Sequence, residues 1–129
     1  MKILHPEGWP RPKGYSNGVS TRGTLVFVAG LVGWDPDGNF PSDLLGQFRR
    51  TLENTVAVLN EAQARPEHIV RMTWYLTDLS AYLAAPKEIG AIYREILGAV
   101  YPAMAVLEVA GLVEKEALIE IETTAVIPE

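Results

Sequence analysis

The stretch Tyr101 to Val126, YPAMAVLEVAGLVEKEALIEIETTAV, narrows the folds open to this chain more than any other part of it. It reads as two extended segments joined by a loop around Gly111 to Glu116. In the second segment Ile119, Ile121 and Thr123 point one way, while Leu118, Glu120, Glu122 and Thr124 point the other, which is the period of a strand. Carboxylates on a strand that otherwise reads as buried are costly unless their face meets water, a partner subunit or a ligand. The strand pair therefore needs one covered face and one working face, and the remaining residues read as the scaffold that supplies them.

In chain order, Met1 to Leu4 fits a short edge strand, followed by a polar lead with Pro6, Pro10 and Pro12 that ends at Lys13 and Gly14. Gly18 to Arg22 and Leu25 to Ala29 read as two strands joined by a turn at Arg22 and Gly23. In GLVGWDPDGNFPSD, Asp35, Asp37 and Asn39 have the first side-chain spacings of a calcium loop. Phe40 stands where such a loop needs glycine and Gly46 where it needs glutamate, so Pro36, Asp37 and Gly38 read as turn chemistry instead. Ser42 is a suitable N-cap for a long helix to about Ala64, with Leu45, Phe48, Leu52, Val56 and Leu59 as one apolar stripe. Arg49, Arg50 and Glu53 fall on its polar side, and Arg65-Pro66 stops it.

Ile69 to Leu76 alternates as a strand, with Val70, Met72, Trp74 and Leu76 set against Arg71, Thr73 and Tyr75. A second helix runs from Pro86 to Leu97, buries Ile89, Ile92, Tyr93 and Ile96, and ends at Gly98. Strands and helices mix without strict alternation, which predicts an α+β domain: one mixed, mostly antiparallel sheet with both helices on one face. The other face is then solvated or covered by another copy. Its outward set includes Trp or Tyr from Ile69 to Leu76, and Leu118 with Val126. That set is too apolar for water, so a homo-oligomer is expected.

A chain of 129 residues has room for one domain spanning 1–129. Its net charge of -5 argues against a nucleic-acid partner, though not against a small basic site. No cysteine is present, hence no disulfide, thiolate metal site or Cys nucleophile. The opening MKILHPEGWPRP lacks a signal-peptide core and no run reaches membrane-spanning length, so a soluble cytoplasmic protein without a membrane partner is expected. The nucleotide-loop, zinc-helix and nucleophile-elbow motifs are missing. His5 and His68 lie far apart and read as surface or turn residues, so no metal site is expected. Glu120 and Glu122 read as a solvated strand face or, more sharply, as a source of one cleft carboxylate.

GYSNGV near the start, VAGLVGWD after a strand and YPAMAVLEVAGLVEKEALIEIETTAV at the end together resemble the RidA family, also called YjgF or the L-PSP endoribonuclease-like family. The similarity runs from about Pro12 onward, and its most specific parts are the segment beginning at Pro102 and the closing Ile119-Glu120-Ile121-Glu122. The resemblance implies a chorismate-mutase-like fold and a homotrimer whose sheets line a central barrel, with ligand clefts between subunits. It further implies hydrolysis of reactive enamines and imines, such as 2-aminoacrylate, to carbonyl products and ammonia without a metal or organic cofactor.

The family places an Arg after Pro-Ala to grip the substrate carboxylate. This chain has Met104 there, so a non-standard, more apolar substrate is implied. On the same resemblance Glu120 holds or activates the attacking water, and Tyr15 closes the cleft from a neighbouring subunit. Ala29 and Gly30 stand where the family has Ser-Gly, so a hydroxyl is lost while the backbone N–H of Gly30 or Leu31 remains, and Trp34 roofs the cleft. Tyr15 and Trp34 read equally well as interface or core aromatics, and Met104 as strand packing. Three functions stay open: an enamine/imine deaminase, a non-catalytic small-molecule-binding trimer, and a ribonuclease, the last opposed by the acidity of the chain.

Overall fold

The computed structural model describes every residue from Met1 to Glu129. Strands β1 (Lys2–Leu4) and β2 (Gly18–Ser20) pair antiparallel in a ribbon of their own. The main sheet takes β3 (Thr24–Leu31), β4 (Ile69–Leu76), β5 (Ala103–Glu108) and β6 (Ile119–Ile127) in the order β3-β6-β4-β5. All neighbours are antiparallel except β4 and β5, which run parallel. Helices α1 (Leu44–Glu61), the short α2 (Leu79–Leu83) and α3 (Pro86–Leu97) complete the chain, with a single 3₁₀ turn at Pro66–His68. The α+β class, the mixed sheet and the helix-covered face agree with the expectation.

Two connections differ from it. The extended segments of Tyr101 to Val126 form β5 and β6, yet β4 lies between them. The loop between them arches over the end of β4, where Val109 N donates to Leu76 O (2.8 Å) and Thr77 N donates to Leu118 O (3.2 Å). Likewise β2 and β3, expected to follow one another through a turn, join different sheets, because the edge segment Lys2–Leu4 takes β2 as its partner.

The core forms where alternation and helical period meet. Met72, Trp74 and Leu76 of β4, and Ile119, Ile121 and Ala125 of β6, face Phe48, Leu52 and Leu59 of α1 and Ile89, Ile92, Tyr93 and Leu97 of α3. Trp74 is its aromatic centre, 4.9 Å from Phe48 and 5.9 Å from Tyr93 between ring centroids. Helix α3 keeps the predicted bounds, closed by Gly98 at φ 82°. The N-cap position of α1 falls on Asp43 rather than Ser42, without a side-chain hydrogen bond to the first turn; the helix ends at Glu61, and in its stripe Leu45 and Val56 are only half-buried. Their place is taken by Gln47, Thr51 and Thr55, all buried. The threonines bond back along the helix, Thr51 Oγ1 to Gln47 O (2.7 Å) and Thr55 Oγ1 to Thr51 O (2.9 Å), so their hydroxyls cost little inside.

The sheet face turned away from the helices carries Tyr75, as one of the two expected aromatics. Val126, expected there as exposed, is buried beside Gly23. The apolar exposure comes instead from Leu25, Leu107 and above all Phe27, which is 74% exposed. Leu25 and Phe27 lie two residues apart on edge strand β3, and Leu107 on the opposite edge strand β5, so the exposed apolar groups border this face on both sides.

Candidate functional site

The residues singled out from the sequence fall into two groups on opposite faces of the sheet. Met104 belongs to the helix-facing side of edge strand β5, in register with Met72 and packed against the core. Tyr15 is brought alongside by the lead segment, which adds to the same edge. Ser16 bridges Ala103, its N–H donates to Pro102 O (2.9 Å) and its hydroxyl donates to Tyr101 O (2.5 Å). Tyr15 and Met104 line one pocket of about 600 Å³, whose walls include Trp74, Tyr82, Ile89, Tyr93 and Val106.

Burial pushes the phenol of Tyr82 up, and burial followed by nearby Tyr101 does the same to Tyr93, which donates to Val100 O (2.6 Å). Trp74 Nε1 is buried without a hydrogen-bond partner, enclosed by the rings of Phe48, Tyr82 and Tyr93.

Glu120 and Gly30 form the second group. Glu120 sits opposite Tyr75 in the β6–β4 register, on the face away from the helices. A register shift between Val28 and Leu31 marks a bulge in β3, and it carries Gly30 against Glu120. A Cβ on Gly30 would sit 2.5 Å from Glu120 Oε2, so only glycine leaves the carboxylate its present place over the backbone. Glu122, two residues on, accepts the Tyr75 hydroxyl (2.6 Å). That hydrogen bond, then burial and the nearby carboxylates, holds the Tyr75 phenol above its ordinary pKa. The two carboxylates thus differ: one is engaged by a tyrosine, and the other lies over bare backbone.

Trp34 is exposed in the loop after β3 and does not line the pocket of Tyr15 and Met104. Helix α1 holds that loop by its polar side: Asn54 Nδ2 donates to Val32 O (3.0 Å) and Trp34 O (2.9 Å). The histidines are turn and surface groups; His68 Nδ1 accepts from Arg65 N (3.0 Å). The aspartate-rich loop is a turn in which Asp35 Oδ1 accepts from the N–H of Asp37 (2.9 Å) and Asn39 (3.0 Å).

Gln47 was missed as a positioning residue. It is 1% exposed; its Nε2 donates to Pro41 O and Glu116 O (both 2.9 Å), and its Oε1 accepts from Leu118 N (2.8 Å). Three bonds from one side chain therefore fix the backbone entering β6, two residues ahead of Glu120. The signal available was the run of Gln47, Thr51 and Thr55 at successive four-residue steps beside the apolar stripe.

Comparison with known proteins places this geometry in a family. The sequence model described as Endoribonuclease L-PSP matches residues 10–127. A RutC family protein of Pyrococcus abyssi is 34% identical, covering 96% of this chain and 95% of that protein. TdcF of Escherichia coli K12, which carries the provisional name of reactive intermediate deaminase, is 32% identical over 97% of this chain and 96% of its own. Among solved structures, the Rid family protein YyfB of Yersinia pestis, of unknown function, superposes with a TM-score of 0.80 at 33% identity, covering 98% of each chain. TdcF crystallised with bound serine gives 0.71 at 31% identity, covering 98% of this chain and 99% of that one. With the model match spanning nearly its full length and relatives of this similarity along it, the chain belongs to the Rid family, also known as the YjgF or endoribonuclease L-PSP family.

Proposed function

We propose that this chain is a cofactor-independent enamine/imine hydrolase that works as a homotrimer, with a cleft between subunits and the sheets lining a central barrel. The observation that carries the reading is the separation of the site residues. Tyr15 and Met104 share a pocket on the helix side of β5, whereas Glu120 and Gly30 lie together on the opposite face. One protomer cannot use both groups on one small molecule; two adjacent copies can. The exposed Leu25, Phe27 and Leu107 on the uncovered face supply apolar surface for such packing. Relatives named for deaminase chemistry and crystallised with an amino acid support the small-molecule reading.

In this mechanism the enamine enters as its imine tautomer. Glu120 takes a proton from a water that attacks the C=N carbon, giving a carbinolamine, and returns the proton to nitrogen. The carbinolamine hydroxyl then gives up its proton, relayed through Glu120 to the nitrogen, as the C–N bond breaks and the carbonyl product and ammonia leave. The Gly30 N–H orients the bound molecule, Tyr15 closes the pocket, and Trp34, in the loop after β3, shields the cleft from the adjacent copy.

Gly30→Ala tests the carboxylate placement. The new Cβ meets the flexible end of Glu120, so stability is expected to change by less than about 1 kcal/mol. Turnover is expected to fall by up to about 10²-fold, the typical cost of a misplaced group. A variant as active as wild type would remove Gly30 from the site.

A second reading, a binding trimer without chemistry, is favoured by one residue: Met104, which cannot hold an anion. Net charge of -5 leaves the ribonuclease reading weakest. The deciding assay generates 2-aminoacrylate and larger imines in situ and follows carbonyl release by wild type and Met104→Arg. Release by wild type from the larger imines, with 2-aminoacrylate turned over only by Met104→Arg, is the expected result. If both proteins leave every imine unhydrolysed above the uncatalysed rate, the enzyme reading falls and the binding reading takes its place.

A further inference from the structure

The pocket lined by Met104 has a charge pattern unlike the rest of the molecule. The chain carries 16 acidic and 11 basic residues, yet the pocket's charged residues are two cations, Lys13 and Arg94, with no carboxylate among its walls. Neither cation is spent on an ion pair: the salt bridges are Arg49 with Glu95 and Arg65 with Glu67. Glu95, next to Arg94 in sequence, turns to α1, and the hydrogen bond from Arg49 holds its carboxyl below the usual range. Arg94 is left free.

Gly90, one turn earlier on α3, lies beneath the Arg94 guanidinium. Its Nη1 lies 3.1 Å from where a Gly90 Cβ would stand, and Cζ and Nη2 lie 3.8 Å away. The guanidinium therefore folds back along the helix over the bare Gly90 position, on the pocket wall. Helical glycine costs about 1 kcal/mol relative to alanine, and this one makes room for a planar fork donor at the mouth of a cavity. Behind it the walls are apolar: Ile89, Met104 and Val106 beside the rings of Trp74, Tyr82 and Tyr93. At about 600 Å³ the pocket falls within the range of roughly 300–1,000 Å³ typical of sites for drug-sized ligands, well beyond what a three-carbon acid fills.

We infer that this pocket takes an organic anion with a bulky apolar or aromatic body: Arg94 holds the anionic end, the body lies on Met104, Ile89 and the ring cluster, and Lys13 adds to the field. This names the substrate class for the proposed hydrolase and rests on that reading for the chemistry, though not for binding.

The test is calorimetric titration of three unreactive probes, 3-phenylpropionate, 3-phenylpropan-1-ol and propionate, into wild type and Arg94→Gln. The expected result is that phenylpropionate binds at least about tenfold more tightly than either other probe, since it alone offers both charge and ring. Arg94→Gln, an exposed substitution that removes the charge and keeps a polar amide, is expected to weaken phenylpropionate about tenfold and leave the alcohol unchanged. Equal affinity for acid and alcohol, an unchanged acid affinity in Arg94→Gln, or no acid binding by wild type would each overturn the inference. Probe binding without imine turnover would sink the hydrolase reading alone; imine turnover without probe binding would sink this inference alone.

Discussion

Gln47→Leu is expected to melt about 10–20 °C below the wild-type protein, the largest stability loss from any single polar substitution in this fold. The side chain is buried and makes three bonds, to the carbonyls of Pro41 and Glu116 and from the N–H of Leu118. Leucine fills a similar volume but leaves three backbone groups without partners, each costing about 1–3 kcal/mol when water cannot reach it. With partial relaxation the sum is about 3–5 kcal/mol, and a domain of this size loses roughly 3–5 °C for each kcal/mol. Thermal melts followed by circular dichroism decide it. A shift below about 3 °C would mean that the loop re-forms its bonds elsewhere and that Gln47 does not hold the entry to β6.

Glu120→Gln should produce the largest loss of activity, about 10²–10⁴-fold, on whichever imine the wild-type protein hydrolyses. Glutamine matches the shape of glutamate but cannot accept the proton of the attacking water. Its effect on folding should be small, because Glu120 is only half-buried and the neighbouring tyrosine is committed to Glu122. The parallel variant Glu122→Gln keeps an acceptor for Tyr75 and should retain most turnover. A Glu120→Gln protein with more than a tenth of wild-type activity would assign the base to another residue, and an equal loss in both variants would point to the local field of the strand.

Patterns with strong periods were legible in the sequence. The β4 strand from Ile69 to Leu76 and the α3 helix from Pro86 to Leu97 needed only alternation, a first-turn proline and a closing glycine. Their signals are local, so nothing distant could overrule them. Strand partnership was not legible. Tyr101 to Val126 looks like a hairpin because its two strands are separated by a short loop, and no local rule reveals that β4 inserts between them.

The site divides along the same line. Glu120, Tyr15 and Met104 were identified by resemblance to a family pattern, and the sheet register then showed that they occupy two faces. Gln47 and Arg94 stayed hidden, since a polar residue on a helix looks like surface until the fold buries it or turns it toward a cavity. For Arg94 the local hint was Gly90, a poor helix former in the middle of a helix.

The position of β6 bears on how the chain acquires its shape during synthesis. Of the strands in the main sheet it emerges last from the ribosome, yet it hydrogen-bonds both β3 and β4, and β3 has no other partner there. Until Ile119 to Ile127 is free, β3, carrying Phe27 and Leu25, has α1 to pack against but no strand partner in the main sheet, and β4 is paired along one edge only. Cotranslational assembly can proceed through α1, β4, α3 and β5 but cannot unite the two halves of the sheet. The nascent chain therefore waits with an open slot of one strand's width, the shape that invites a neighbouring nascent chain to insert its own strand.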